Sequence, residues 1–406
     1  MPTWSSGRRE LHSSDSMRIL LVHDFYQQYG GEDAVALAER RLLEQHAEDV
    51  LFYSRDNAEI RDYNLPDKLA FLLGTIYSHR TRREIAALAR LHRPDAAYVH
   101  NVFPLISPSL YHVLQRLKVP IVQVVHEFRL LCPNSWFYTE GRICERCKHG
   151  NYLHAIRHRC YRDSYVLSAL YSASIGINRL AGGMDKIDAF ICLTEFSKLK
   201  LLEIGVPEEK LYVRPNFIDA SAVSPAPGTG DYVMYLGRLS PEKGVWTLVR
   251  AFEQLRGVPL KIVGTGPLEG DIRRYVEEKG LRNISLTGFK AGKEKWELLR
   301  NSRFVVLPSE WYEAFPMVIL EAYAAGKPVI ASNLGGLPYI VRNGQTGLLF
   351  EAGNPFDLAD KTSYLLQVTE ELERMGRFAR KLTETEYSPE AGYETLMTIL
   401  DKVCKQ

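Results

Sequence analysis

Glu313 and Glu321 stand eight positions apart around Phe315-Pro316-Met317-Val318, a spacing suited to holding a bound nucleotide. An apolar run ends at Pro308, a short loop carries Glu313, and Pro316 sits where a first helical turn favours proline. Gly326 then ends the predicted helix. A helix start of this kind presents unpaired backbone N–H groups and partial positive charge, which makes residues 315–318 a seat for a diphosphate. Glu313 faces the same crevice, and Glu321, one to two turns inside, reaches the hydroxyls of a ribose. Two glutamates by themselves are ordinarily solvated surface groups. These two have company. Arg238 and Lys243 lie in Gly237-Arg238-Leu239-Ser240-Pro241-Glu242-Lys243-Gly244, at the end of another predicted strand, where doubly wound folds bind ligands. Two cations there suit a pyrophosphate leaving group. Gly264-Thr265-Gly266-Pro267 and Gly335-Gly336, at further strand ends, allow close backbone approach to a ligand, although any tight turn needs glycine. The run 264–270 misses the dinucleotide spacing by one residue, which disfavours a dehydrogenase.

The first half carries its own candidates. His100-Asn101 and His126-Glu127 each terminate an apolar strand, so two strand ends deliver polar groups into one crevice. A histidine at a strand end is more often a packing or hydrogen-bonding residue than a catalyst. Tyr29-Gly30-Gly31 follows the first strand and its loop, and each glycine also serves as helix-entry punctuation. Cys132, Cys144, Cys147 and Cys160 are spaced by eleven, two and twelve residues. The Cys-x2-Cys core with two flanking cysteines is similar to a structural zinc knuckle, and the compartment disfavours disulfides. The spacing matches no common finger, so structural zinc stands beside free thiols or redox-sensitive pairs. Catalysis itself calls for no cofactor.

Short apolar runs alternating with helical patterns position these residues, the signature of an α/β fold with a parallel sheet. In the first half, strands are predicted at 19–23, 96–100, 121–126 and 189–193, and helices at 32–45, 81–91 and 196–202. In the second half, strands fall at 233–237, 260–264, 284–288, 304–308 and 329–332, with helices at 245–256, 268–279, 293–301 and 316–325. The Pro- and Gly-rich stretch 224–230 reads as a linker. The organisation is then a disordered tail (1–16), a first Rossmann-like domain (17–223), a second one (231–383) and a C-terminal helical segment (384–406), the first for acceptor and the second for donor by the resemblance given below. At 406 residues the chain comfortably holds two cores. Lys plus Arg (51) nearly balances Asp plus Glu (49), which leaves no global field for nucleic acid. Locally, basic residues gather between Lys68 and Arg93 and between Arg142 and Arg162, beside the apolar stretches 69–77 and 165–177. Peripheral contact with an anionic membrane and ordinary solvated faces over core helices are both open readings. The chain has no apolar run long enough to span a bilayer, and its first sixteen residues lack a signal-peptide core, so a cytoplasmic address follows, at the inner membrane face if lipid is contacted.

Taken together, the second half resembles the donor domain of family 4 glycosyltransferases. That family has the GT-B architecture, two Rossmann-like domains facing each other across a cleft. Gly237-Arg238, Lys243-Gly244, Gly264-Thr265-Gly266-Pro267, Glu313-x7-Glu321, Gly335-Gly336 and Gly347-Leu348-Leu349-Phe350 carry the resemblance over 231–352. The resemblance implies that Arg238 and Lys243 neutralise the donor diphosphate, Glu313 contacts the transferred sugar and Glu321 the ribose. It places Gly30 and Gly31 beside donor phosphates, His126 beside the donor sugar, and His100 and Asn101 as acceptor contacts. Tyr339 stands where the family often has a glutamate after Gly-Gly-x-Pro. The resemblance also implies retention of anomeric configuration without a divalent metal. Glu127 is adjacent to His126, and neighbouring strand positions point to opposite faces, so no first-half carboxylate nominates itself as nucleophile. Same-face attack is therefore favoured, the leaving phosphate taking the acceptor proton. The implied partners are a UDP- or GDP-linked sugar and a saccharide or lipid-linked acceptor in bacterial-type surface polysaccharide or glycolipid assembly. A GT-B nucleotide-sugar epimerase and a non-catalytic nucleotide-sugar-binding scaffold are the alternatives.

Overall fold

The computed structural model describes residues 16–27, 30–228 and 230–405, with nothing said of the Leu69 side chain. The predicted tail, apart from Ser16, and Tyr29 lie outside the described residues. The first half forms β1 (Arg18–Phe25), β2 (Asp49–Asp56), β3 (Ala96–Val99) and β4 (Ile121–Val125), then a small antiparallel hairpin of β5 (Tyr138–Thr139) and β6 (Arg142–Ile143), then β7 (Ala189–Cys192) and β8 (Leu211–Val213). Six of these make a parallel sheet in the order β2-β1-β3-β4-β7-β8. The second half supplies β9 (Tyr232–Leu236), β10 (Leu260–Val263), β11 (Ile284–Gly288), β12 (Ser302–Leu307), β13 (Val329–Ser332) and β14 (Gly347–Phe350), also parallel, in the order β11-β10-β9-β12-β13-β14. Central strands such as Ile121–Val125 and Val329–Ser332 are buried throughout because crossover helices cover both faces.

Strand order reverses between β1 and β3 in one sheet and between β9 and β12 in the other. At such a switch point adjacent crossovers leave on opposite faces, and a crevice opens beyond the strands' carboxyl ends. The loops that carry the candidate residues start there.

Besides the β5–β6 hairpin, three strands of the parallel sheets were not expected. β2 is half-exposed along most of its length and lies at a sheet edge, β8 has three residues, and β14 is a short edge strand. The two apolar stretches of the first half are helices, Leu65–Ile76 and Tyr165–Leu180, that pack on each other. Ser174 Oγ donates to Thr75 O at 2.7 Å within that contact. Leu73, Val166, Ile177 and Leu180 nevertheless face outward. The predicted linker is seated rather than free: Ala226 N donates to Ala325 O at 2.9 Å and Lys327 donates to Ala226 O.

The last helix, Pro389–Cys404, finds its partner on the first half. Tyr393 stacks on His46 at 3.7 Å and its hydroxyl donates to Glu48 at 2.7 Å. Arg214, 1% exposed, donates through Nε to Gly392 O and through both Nη atoms to Glu39.

Buried polar groups also shape the crevice floor. Asp24 is fully buried at the end of β1 and accepts Leu105 N at 2.7 Å and Ile106 N at 3.3 Å, which anchors the loop after β3. Burial pushes its carboxyl up to about 7, against the backbone donors that favour its charge. An unfolded aspartate titrates near 4, so the folded state holds the extra proton: stability is fully present below that value and is lost as pH rises through 7. From pH 5 to pH 8, the wild type should lose about 2–3 kcal/mol relative to Asp24→Asn. Urea unfolding of both proteins across that range checks this, and parallel pH profiles would contradict it.

Candidate active site

The two sheets turn their carboxyl ends toward a cleft of about 1000 Å³. On the second-half side, Gly244 adopts φ +65°, and a Cβ there would lie 1.8 Å from Pro308 O. Only glycine lets the turn after β9 pack against the loop after β12. That contact delivers Lys243 to Glu313: Nζ donates to Oε1 at 2.7 Å. Ser309 Oγ donates to the same oxygen at 2.7 Å, and Lys243 Nζ lies 4.7 Å from the Trp311 ring centre. Arg238 lines the cleft, is exposed, and has no side-chain partner among the described residues. The helix Met317–Ala324 begins beside them with no side-chain cap at Pro316, so its first N–H groups open on the cleft lined by Phe315, Pro316, Met317 and Val318. Glu321 lines the cleft too, with Oε1 accepting Lys295 Nζ at 2.6 Å.

Gly237 borders the cleft, whereas Gly264 and Gly266 do not. A Cβ on Gly264 would meet Gly237 O at 1.9 Å, and one on Gly266 would meet Leu239 O at 2.4 Å. The close approach expected toward a ligand is spent on the protein: the loop after β10 packs beneath the loop that carries Arg238, and Leu239 N donates to Thr265 O at 2.9 Å. Gly335 and Gly336 play a similar part, since side chains there would collide with the backbone of residues 312–314.

On the first-half side, Gly30 and Gly31 border the cleft at the start of the helix Gly31–Gln45. Asp33 fixes this entry, accepting Gly30 N at 2.8 Å and contacting His23 Nε2 at 2.8 Å. His126 lines the cleft and meets His100 Nδ1 through its own Nε2 at 2.8 Å, with the two rings stacked. Burial pushes His126 down to about 3, and burial followed by the His126 charge holds His100 low as well. Both imidazoles are therefore neutral at physiological pH.

His100 and Asn101 do not reach the main cleft. Asn101 donates to Asp24 O and Phe103 O and accepts Phe103 N, which occupies its amide with the backbone. His100 is a layer behind, supporting His126. The two expected acceptor contacts border a small adjoining space with Glu32, His126, Glu127 and Arg129, where His100 Nε2 has no hydrogen-bond partner among the described residues. Glu127 requires a correction. β4 stops at Val125, the face alternation of a strand stops with it, and His126 and Glu127 both line the cleft.

Two carboxylates on this side lie outside the expected set of site residues. Glu127 accepts Arg129 Nε at 2.5 Å, and Glu32 accepts the Tyr26 hydroxyl at 2.8 Å. Burial first, then the neighbouring Glu127, raises Glu32 well above the usual carboxylate range. Arg129 lies over the rings of Tyr171, Phe103 and Tyr161 at 5.5–5.9 Å. Glu32 directly follows the glycine pair in the first helical turn, and that position is its one sequence signal.

Residues 217–382 match the family described as "Glycosyl transferases group 1", and residues 30–222 match "Glycosyltransferase Family 4". Adjoining matches over nearly the whole chain, on two facing parallel sheets, decide its membership. The chain belongs to the family 4 glycosyltransferases. This family 4 chain is 32% identical over 209 residues to the uncharacterised glycosyltransferase MJ1178 of Methanocaldococcus jannaschii, covering 48% of this chain and 55% of that protein. It is 30% identical over 305 residues to a glycogen synthase of Mycobacterium tuberculosis, covering 73% and 66%. The chain thus spans between about half and two thirds of the length of these curated relatives. Its GT-B fold is that of Anabaena HepE, solved in complex with UDP: the TM-score is 0.66 at 20% identity, over 95% of this chain and 100% of that one.

The ion pair of this family 4 site is open to a direct test. Glu313 is nearly buried, and removing Lys243 leaves it with Ser309 as its remaining side-chain partner. Lys243→Met should lower stability by about 1–3 kcal/mol, and adding Glu313→Gln should restore part of that loss. Chemical denaturation of the three variants measures the coupling, and strictly additive effects would contradict the pairing.

Proposed function

We propose that the chain transfers a sugar from a nucleoside diphosphate sugar to a hydroxyl of a saccharide or lipid-linked saccharide. One observation carries the reading: Arg238, the Lys243–Glu313 pair and an uncapped helix start converge on one cleft. A diphosphate at the helix start meets N–H donors and two cations, which stabilise the charge that grows as the glycosidic bond breaks. Lys243 then lies between the leaving phosphate and Glu313, and the carboxylate is left to orient the sugar hydroxyls. Glu321 accepts Lys295 with one oxygen and presents the other to a ribose. Neutral His126 exchanges a hydrogen bond with the donor sugar without adding charge to the site.

The acceptor enters from the first half. Glu32 and Glu127, the latter held by Arg129, hydrogen-bond the acceptor hydroxyls. In the same-face route, the acceptor oxygen bonds to the anomeric carbon as the diphosphate departs, and the hydroxyl proton passes to a phosphate oxygen. Configuration is thereby retained. Anabaena HepE, of the same fold, is solved in complex with UDP, which makes uridine diphosphate the first probe. Outward-facing Leu73, Val166 and Leu180, with exposed Arg157 and Arg159 nearby in the first half, support contact with an anionic membrane carrying a lipid-linked acceptor. No helix among the described residues is long and apolar enough to cross a membrane.

Three variants separate the roles. Arg238→Ala should weaken uridine diphosphate binding roughly tenfold or more with the fold intact, since a charged hydrogen bond contributes on the order of 1.5–3 kcal/mol. Glu321→Gln should weaken it as well, whereas Glu313→Gln should chiefly depress turnover. Calorimetric titration of the nucleotide and a transfer assay over a panel of nucleotide sugars read the two effects. Wild-type affinity in both Arg238→Ala and Glu321→Gln would remove the donor assignment.

A further inference from the structure

The stretch 128–164 has little regular structure: one two-strand hairpin, β5–β6, and the five-residue helix Leu153–Arg157. It also contains Ser135, Phe137, Glu140, Arg159, Arg162 and Asp163, six of the ten non-glycine residues described with positive φ. A backbone held in so many unfavourable conformations needs its surroundings to over-determine it. Four cysteines provide the means. Cys132 precedes the hairpin, Cys144 and Cys147 follow it, Cys160 comes just after the helix, and all four border one small space. Cys144 N donates to Phe137 O at 2.7 Å, which ties the Cys-x2-Cys turn to the hairpin base.

Two histidines also border this space. His158 has both ring nitrogens engaged, with Glu140 at 2.8 Å and Arg146 at 3.1 Å, and His154 Nε2 meets Asn151 Nδ2 at 3.4 Å. As placed, Cys132 Sγ donates to Asn134 Oδ1 at 2.9 Å and Cys160 Sγ approaches Thr139 Oγ1 at 3.6 Å. Among the described residues no three His, Cys, Asp or Glu donors are arranged to hold an ion as they stand.

We propose that Cys132, Cys144, Cys147 and Cys160 bind one structural Zn²⁺ that fixes a wall of the cleft. Each thiol gives up its proton to solvent, four in all, and four S–Zn bonds form with no redox change. The consequence is spatial: Asn134, Ser135 and Trp136 beside the first cysteine, and Tyr161 and Arg162 beside the last, line the main cleft. The ion thus positions groups at the site without touching reactants.

Full-length protein, expressed with zinc in the medium and purified in reducing, chelator-free buffer, provides the test. Elemental analysis should find about one zinc per chain, released in step with modification of the thiols by a mercurial reagent. Exchange for Co²⁺ should give the near-ultraviolet absorption of thiolate-to-cobalt charge transfer. Cys144→Ser and Cys147→Ser should each lose the metal, whereas Cys192→Ser, in β7, should keep it. Zinc well below one per chain, with all four thiols reacting freely in native protein, overturns the proposal. So does Co²⁺ bound without charge-transfer bands. None of these readouts uses sugar transfer, so the metal site and the proposed activity stand or fall separately.

Discussion

The buried guanidinium of Arg214 organises the molecule. A charge so far from water must be paired, and a misfit there leaves an uncompensated ion in an apolar core. Arg214 sits just past β8, and its partners are the carboxylate of Glu39 and the carbonyl of Gly392. Those contacts bind together the sheet edge, the helix that begins at Gly31, and the last helix of the chain. Setting that first helix also sets its start, where Gly30 and Gly31 border the cleft. The same positive charge helps keep His100 and His126 neutral. One electrostatic requirement therefore reaches both the packing of the first half and the protonation of its cleft-facing histidine.

The two sides of the cleft divide the electrostatic work. The second half contributes Arg238, Lys243 and helix N–H groups, all suited to negative charge. The first half contributes Glu32, Glu127 and a neutral histidine, suited to hydroxyls. Glu313 links the two chemistries, since it is a carboxylate on the cationic side, held by Lys243 and Ser309. An anion bound at the helix start draws Lys243 toward itself, and so changes how strongly Glu313 is held.

Much of this was legible in the sequence because strands buried on both faces must be short apolar runs followed by turns. The ends of β9 and β12 could be located that way, and with them Arg238, Lys243, Glu313 and Glu321. What spacing does not reveal is where a polar atom at a strand end spends its hydrogen bonds. Asn101 and Glu127 both follow apolar strands, yet one closes on its own backbone while the other faces the cleft. Gly264 and Gly266 are alike in this respect, since a glycine that admits a ligand and one that admits a neighbouring loop have the same signature. Glu32 was hidden differently: an acidic residue in a first helical turn is common, and its raised proton affinity arises from burial in the fold and then from Glu127, about a hundred positions away in sequence.

Because the last helix returns to the first half, the chain crosses between halves twice. The crossings run side by side, and Ile218 N donates to Tyr387 O at 2.9 Å. Topologically, the second half is an insertion whose entry and exit share one doorway. The same layout makes the second half a cassette. A recombination event at the two neighbouring junctions exchanges it as a unit while leaving the first half, its last helix included, whole.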